Sequence, residues 1–209
     1  MRIVIADDHA IVRRGLRQIL SDVSDLAVIG EAASSDELLT ILRSRPVDVV
    51  VLDLGLGDRS GIDVVKYIKS EFPRLPVLIL SMHREDLFAE RALRAGASGY
   101  VQKEDAPEEL LIAIRRVAAG GTYVSPGMAE KLAADLVRGG TKAMPHERLS
   151  DREFEVFRRL GAGMSVSEIA RSLNLSVKTV STHRTHILRK TGLQTNADIV
   201  EYVTAHGLR

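Results

Sequence analysis

Several side chains suited to metal and phosphorus chemistry lie in the first half of this chain, each just after a short apolar run. Asp7 and Asp8 follow Arg2-Ile3-Val4-Ile5-Ala6, and Asp53 closes Val47-Asp48-Val49-Val50-Val51-Leu52. Ser81 closes the run from Pro76, and Lys103 follows Ser98 to Gln102. Three carboxylates gathered within a few ångströms repel one another; a like-charge pair at 4 Å costs roughly 4 kcal/mol at an effective dielectric of 20. A hard divalent cation relieves that repulsion, and carboxylate and carbonyl oxygens are the ligands Mg²⁺ takes. A carboxylate can also attack phosphorus to form an aspartyl phosphate. The cation and Lys103 would then offset the charge on the phosphoryl oxygens. Each residue taken alone has a plainer explanation. An acid after a strand is commonly a helix N-cap, and a hydroxyl at a strand end, or a half-buried ring such as Tyr100, is ordinary packing. The set points to chemistry.

For these side chains to meet, the apolar runs must be parallel strands, whose carboxyl ends all lie on one edge of a sheet. The Val-rich run ending at Asp53 suits a strand covered on both faces. Between the runs, apolar residues recur at helical spacing: Val12, Leu16, Ile19 and Leu20; then Asp36 to Arg45; then Val64, Ile68 and Phe72; then Phe88 to Ala95; then Pro107 to Ala119. With Leu26 to Ala32 as a further strand, this gives five βα units in residues 1–120. The expected fold is α/β, a doubly wound parallel sheet, with ligands at the carboxyl ends of its strands.

Residues 1–120 resemble the receiver domain of a two-component response regulator, through Asp7, Asp8, Asp53, Ser81, Tyr100 and Lys103. The resemblance implies a (βα)5 sheet of strand order 2-1-3-4-5. It also implies a Mg²⁺ site made by Asp8, Asp53, the backbone carbonyl of Gly55 and, through water, Asp7. Asp53 would accept phosphate from the phosphohistidine of a sensor histidine kinase, with Lys103 and Ser81 assisting. Ser81 and Tyr100 would rearrange to report it. The family commonly carries a proline four residues after the acceptor, where this chain has Gly57; glycine loosens that loop but removes no metal ligand.

Composition bounds the rest. The chain has 209 residues, 45% of them hydrophobic, and a net charge of +1. Its halves differ: residues 1–120 hold sixteen Lys and Arg against nineteen Asp and Glu, while residues 121–209 hold thirteen against nine. An acidic module joined to a basic one suggests different partners, the basic one nucleic acid. The lack of cysteine excludes disulfides, thiolate nucleophiles and Cys-ligated metals. The run from Met1 to Ala6 is too short for a signal peptide, and no stretch approaches a membrane span. A cytoplasmic location without membrane contact is expected.

Gly120-Gly121 interrupts the last receiver helix, Met128 to Arg138 is helical in pattern with Leu132 and Leu136 on one face, and Gly139 to Pro145 reads as a tether. We place a receiver domain at 1–120, a linker with a helical segment at 121–147, and a DNA-binding domain at 148–209. In the last part, Ser150-x-x-Glu153 and Ser165-x-x-Glu168 are capping boxes with apolar staple pairs. Ser176 starts a third helix with Thr179 at the box position, and a fourth begins near Thr195. Only Leu173-Asn174-Leu175 separates the second and third helices, and Asn tolerates the left-handed backbone of a tight corner. No acid stands between Glu168 and Asp198, while Arg171, Lys178, Arg184, Arg189 and Lys190 are basic. A basic helix is often a solvated surface; after such a corner it suits the major groove. With Val180 and Ile187 inward, Lys178, Ser181, Thr182, Arg184 and Thr185 face out.

This small four-helix, all-α region resembles the LuxR/NarL-type helix-turn-helix, through Leu149-Ser150-x-Arg152-Glu153, Glu168-Ile169-Ala170 and Leu175-Ser176-x-Lys178-Thr179-Val180-x-Thr182-His183. By that resemblance Lys178 and Thr179 contact phosphates of double-stranded DNA, and Ser181, Thr182 and Thr185 face base edges. His183 is either a packed or phosphate-facing imidazole or a base reader. The expected function is a NarL/FixJ-type response regulator rather than an enzyme: phosphorylation of Asp53 promotes dimerisation and promoter binding, with RNA polymerase as downstream partner. Two alternatives stand beside it. One is a phosphorylation-independent DNA binder whose receiver serves as a dimerisation scaffold. The other, a metal-dependent phosphatase with an Asp nucleophile, needs a second general acid, often two residues on, where this chain has Gly55.

Overall fold

The computed structural model describes residues 1–56, 60–82, 85–105, 107–137 and 144–208; of residues 85–87 and 135–137 only the backbone is described. Gly57 and residues 139–143 of the expected tether lie outside the described residues, as does Arg138. Two compact units emerge, Met1–Ala133 and Ala134–Arg209. Among the described residues no helix is long and apolar enough to cross a membrane.

In the first unit, strands β1 (Arg2–Ala6), β2 (Ala27–Ala32), β3 (Val49–Asp53), β4 (Val77–Ser81) and β5 (Gly99–Gln102) alternate with helices α1 (Ala10–Ser21), α2 (Ser35–Ser44), α3 (Gly61–Glu71), α4 (Glu85–Arg94) and α5 (Pro107–Ala118). The strands form one parallel sheet of order β2-β1-β3-β4-β5, the doubly wound topology expected. Strands β3 and β4 are buried throughout, as continuous Val/Leu/Ile runs require when both faces are covered. On one face Ile3, Ile5, Val49, Val51, Leu78, Leu80 and Val101 pack with Leu16 and Leu20 of α1 and Leu110, Ile114 and Val117 of α5. The alternate residues, Val4, Val50, Leu52, Ile79 and Tyr100, are equally buried and point to the other face. The strand expected from Val47 starts later. Asp48 instead accepts hydrogen bonds from the backbone and guanidinium of Arg2, at 2.7 and 2.6 Å.

Strand order reverses between β1 and β3, so the crevice of this sheet opens at their carboxyl ends. The far edge is also closed. Residue Tyr123 makes a parallel bridge to Gly99: its N–H donates to Ser98 O at 3.0 Å, and its carbonyl accepts from Tyr100 N–H at 2.9 Å. Gly99 permits this approach, since a Cβ there would stand 2.7 Å from Tyr123 O. The Tyr123 hydroxyl donates to Glu109 of α5. Helix α6 (Pro126–Val137) follows.

The second unit opens with a 3-10 turn at Pro145–Arg148 and continues through α7 (Asp151–Gly161), α8 (Val166–Ser172), α9 (Val177–Thr191) and α10 (Asn196–Ala205). Every helix start here is capped by the hydroxyl residue read from the sequence: Ser150, Ser165, Ser176 and Thr195 each accept from the backbone three residues on. A cap of this kind contributes about 1 kcal/mol. Gly161 lets α7 and α10 meet closely, because a Cβ there would lie 2.5 Å from Val203.

Candidate functional site

The parallel sheet brings the strand-end residues of the first unit together, as the sequence implied. Asp7 and Asp53 are buried, at 1% and 5% exposure, and so is Ser81. The Lys103 ammonium reaches across them, 2.6 Å from Asp7 Oδ2 and 3.0 Å from Asp53 Oδ2. Its backbone N–H donates to Ser81 O at 2.8 Å. Asp8 is exposed at the rim. Oxygens of Asp7, Asp8 and Asp53 and a ring nitrogen of His9 lie within 4.8 Å of one another. Gly55 stands beside the acceptor: a Cβ there would sit 3.3 Å from Asp53 Oδ2. The N-terminus of α3 presses on the same loop, since a Cβ on Gly61 would lie 2.5 Å from Leu54 Cα. Tyr100 pairs with Ile79 across β4 and β5, and Ser81 follows Ile79 on the same sheet face. Tyr100 is fully buried rather than half-buried.

The electrostatics follow from this packing. Burial pushes the Asp53 carboxyl above the usual aspartate value; Lys103 opposes that rise and Asp7 adds to it. Burial works against the Lys103 charge, but Asp7 and Asp53 outweigh it and hold the ammonium above its ordinary pKa. Lys103 is thus the cation that lets two buried carboxylates stand side by side. The donor set around it is dominated by hard carboxylate oxygens, which fits Mg²⁺ in kind. Sequence reasoning missed two neighbours. His9, which follows Asp8 directly, bonds it through Nδ1 at 2.6 Å, and the Arg13 guanidinium donates to Asp7 O at 2.5 Å. Arg13 carried no signal beyond its place on the first turn of α1.

The second candidate site is the corner between α8 and α9. Asn174 has φ +51°, alone among the described non-glycine residues in that region of backbone space, and Leu175 N–H closes the turn on Ala170 O at 2.8 Å. The Arg152 guanidinium braces the corner from α7 through Leu173 O at 3.1 Å. Val180 and Ile187 of α9 are buried, and Val177, Lys178, Ser181, Thr182, Thr185 and Arg189 are exposed. The hydroxyls of Thr182 and Thr185 donate to Lys178 O and Ser181 O at 3.0 and 3.1 Å. Their protons are used within the helix, leaving lone pairs to accept from outside.

Not every expected contact residue is equally free. Arg184 Nε donates to Asn196 Oδ1 of α10 at 2.6 Å, and Thr179 is half-buried beside the Ser176 hydroxyl at 2.7 Å. His183 is half-buried too, and burial holds its pKa below the ordinary histidine value. Underneath, Glu153 of α7 is buried and takes Lys190 of α9 at 2.6 Å, with the His186 ring 3.6 Å away. Burial alone would raise the Glu153 pKa; Lys190 and the Ser150 N–H together hold it lower than usual. The sequence showed Glu153 only as a capping-box member, because nothing local marks a partner 37 residues away.

Comparison with known proteins matches a family to each half of the chain. Residues 3–115 match the response regulator receiver domain, and residues 147–203 match the luxR family of bacterial regulatory proteins. The chain is 30% identical to the response regulator UvrY of Escherichia coli, over all of this chain and 95% of that one. It is 38% identical to the oxygen regulatory protein NreC of Staphylococcus aureus, over 97% and 96% of the two chains. Among solved structures, RcsB of Salmonella enterica serovar Typhimurium, bound to promoter rprA with the phosphomimetic BeF₃⁻, superposes with TM-score 0.65 and 31% identity over 98% of each chain.

Proposed function

Because the chain belongs to the NarL/FixJ-type response regulators, with a receiver domain and a LuxR-type helix-turn-helix, we propose that phosphorylation of Asp53 governs its binding to promoter DNA. What supports the acceptor role is the convergence of Asp7, Asp53 and Lys103 at the strand-order reversal, with Ser81 and Tyr100 at the same end of the sheet. A sensor histidine kinase would present the phosphoryl group. The Asp53 carboxylate forms the new P–O bond as the P–N bond to the kinase imidazole breaks, and that imidazole keeps the bonding pair and takes a proton. A Mg²⁺ held by Asp8, Asp53, the Gly55 carbonyl and, through water, Asp7 would supply charge for the phosphoryl oxygens. Lys103 is already placed to turn from the carboxylates to a phosphoryl oxygen.

The phosphoryl group carries about −1.5 to −2 charges. Ser81 moves toward it and vacates space on the face that Tyr100 fills, which biases the β4–β5 surface toward a dimerising form. Moving an equilibrium from 1:99 to 99:1 takes roughly 5.5 kcal/mol of differential interaction. Paired recognition helices in a dimer then read paired half-sites, Lys178 and Thr179 on phosphates and Ser181, Thr182 and Thr185 on bases. Arg184 faces DNA in this reading while Asn196 orients it. The domains are the receiver at 1–120, a linker at 121–147 and the DNA-binding domain at 148–209. The protein works in the cytoplasm, with RNA polymerase downstream.

The test is DNA footprinting across a genomic library with the full chain, with and without beryllofluoride and Mg²⁺, for the natural sequence and Asp53→Ala. Stronger footprints with the mimic, absent in the variant, are expected. Equal footprints in all four conditions would overturn phospho-control and favour a receiver that serves as a dimerisation scaffold only.

A further inference from the structure

We propose that Val177 is a specificity-determining residue, whose isopropyl group recognises the C5-methyl of a thymine in the operator. The inference rests on the reading of α9 as the recognition helix and extends it to a residue outside the polar set assigned to DNA. Val177 is 51% exposed and, among the described residues, is the large hydrophobic left exposed in the second unit. It is also the first residue of α9, directly after the Ser176 cap. The first residues of a recognition helix are those that reach base edges.

Its neighbours decide what it faces. Val177, Ser181 and Thr185 follow one another at intervals of four and are all exposed, so they form a single ridge along the helix. Lys178 and Thr182 form the adjoining exposed row. Val180 and Ile187, about 60–80° from Val177 around the helix, are buried, so the ridge runs along the border of the buried face. An apolar group at the head of an otherwise polar ridge has one apolar target on the major-groove floor, the thymine methyl. Valine suits the task because its branched side chain is stiff at χ1, so little rotamer freedom is lost on contact. Four residues of helix span about 6 Å, close to two base steps at about 3.4 Å each. The thymine therefore lies within about two base pairs of the base facing Ser181.

The experiment begins with selection of duplexes from a random-sequence pool by the full chain with beryllofluoride and Mg²⁺. Each thymine of the preferred duplex is then replaced singly by deoxyuridine, which deletes the methyl alone. Dissociation constants are measured for the natural chain and for Val177→Ala, which favours helix and keeps the fold. The natural chain is expected to lose roughly fourfold at one thymine per half-site, the worth of about one buried methyl-sized group. Val177→Ala should bind the thymine duplex correspondingly less tightly and show no further loss at that position, while other thymines respond as before. If Val177→Ala stays sensitive at every thymine to which the natural chain responds, or the natural chain responds at none, the assignment is overturned. If no duplex is enriched at all, the recognition-helix reading falls and this inference falls with it.

Discussion

Replacing Lys103 by Met keeps most of the apolar stem of the side chain and removes the ammonium, with its charge and its hydrogen bond to Asp7. Two carboxylates then face each other in a buried site, since the side chains of Asp7 and Asp53 are 2% and 6% exposed. Breaking a buried pair by removing one partner costs about 3–5 kcal/mol. A second route sets a ceiling: an unpaired carboxyl can take up a proton instead. From the ordinary aspartate pKa to pH 7.5 that costs about 5 kcal/mol, and to pH 5.5 only about 2 kcal/mol. Lys103→Met should therefore lower the receiver's thermal midpoint on the order of 10–20 °C at pH 7.5 in EDTA, and by about half of that at pH 5.5. Mg²⁺ should restore more stability to the variant than to the natural chain, because Lys103 no longer competes for the same oxygens. Calorimetry of the full chain, read on the receiver transition, measures all three. A variant that melts within about 2 °C of the natural chain at pH 7.5 in EDTA would refute the claim that Lys103 is the resting counter-charge.

In the second unit, Gly161→Ala should cost about 1–3 kcal/mol through its clash with Val203, and Val203→Ala about 2–3 kcal/mol through the cavity it leaves. The double variant should be about 1–2 kcal/mol less destabilised than the sum, read by denaturant unfolding; simple additivity would mean the two helices do not meet at this point. For His183, burial depresses the folded pKa, so the unfolded chain binds the proton more readily. Stability is then full above the ordinary histidine pKa and is lost as pH falls through it toward the lower folded value. Melting the second unit between pH 7.5 and 5.5 should show that loss, and His183→Gln should flatten it; an unchanged slope would place the titration elsewhere.

Much of the architecture was legible because local and global signals coincide in this chain. Strands β3 and β4 announce burial on both faces by their unbroken apolar runs, and their polar ends had only one edge on which to meet. The helix starts in the second unit were visible because a cap is a local device, bounded by three residues. Asn174 was visible for the same reason, as a side chain that tolerates the backbone a tight corner imposes. What escaped were contacts between distant segments. Glu153 finds Lys190 across two helices, Arg152 finds a carbonyl at the corner, and Arg184 finds Asn196. None leaves a periodic trace, since one residue pair carries no pattern. The 3-10 turn at Pro145–Arg148 escaped because its proline suits equally the end of a tether.

The bridge at Tyr123 bears on how the receiver can be handled as a separate piece. A strand edge with free N–H and C=O groups is a template for pairing with another chain, and β5 would be such an edge on its own. Tyr123 occupies it with two backbone hydrogen bonds, to Ser98 and Tyr100. A fragment ending at Gly120 would bare those groups along a buried, apolar strand and should self-associate as its concentration rises. One ending after Ser125 should remain dispersed. The few residues that follow Gly121 therefore act as a built-in guard against strand-to-strand polymerisation, and any severed receiver must keep them.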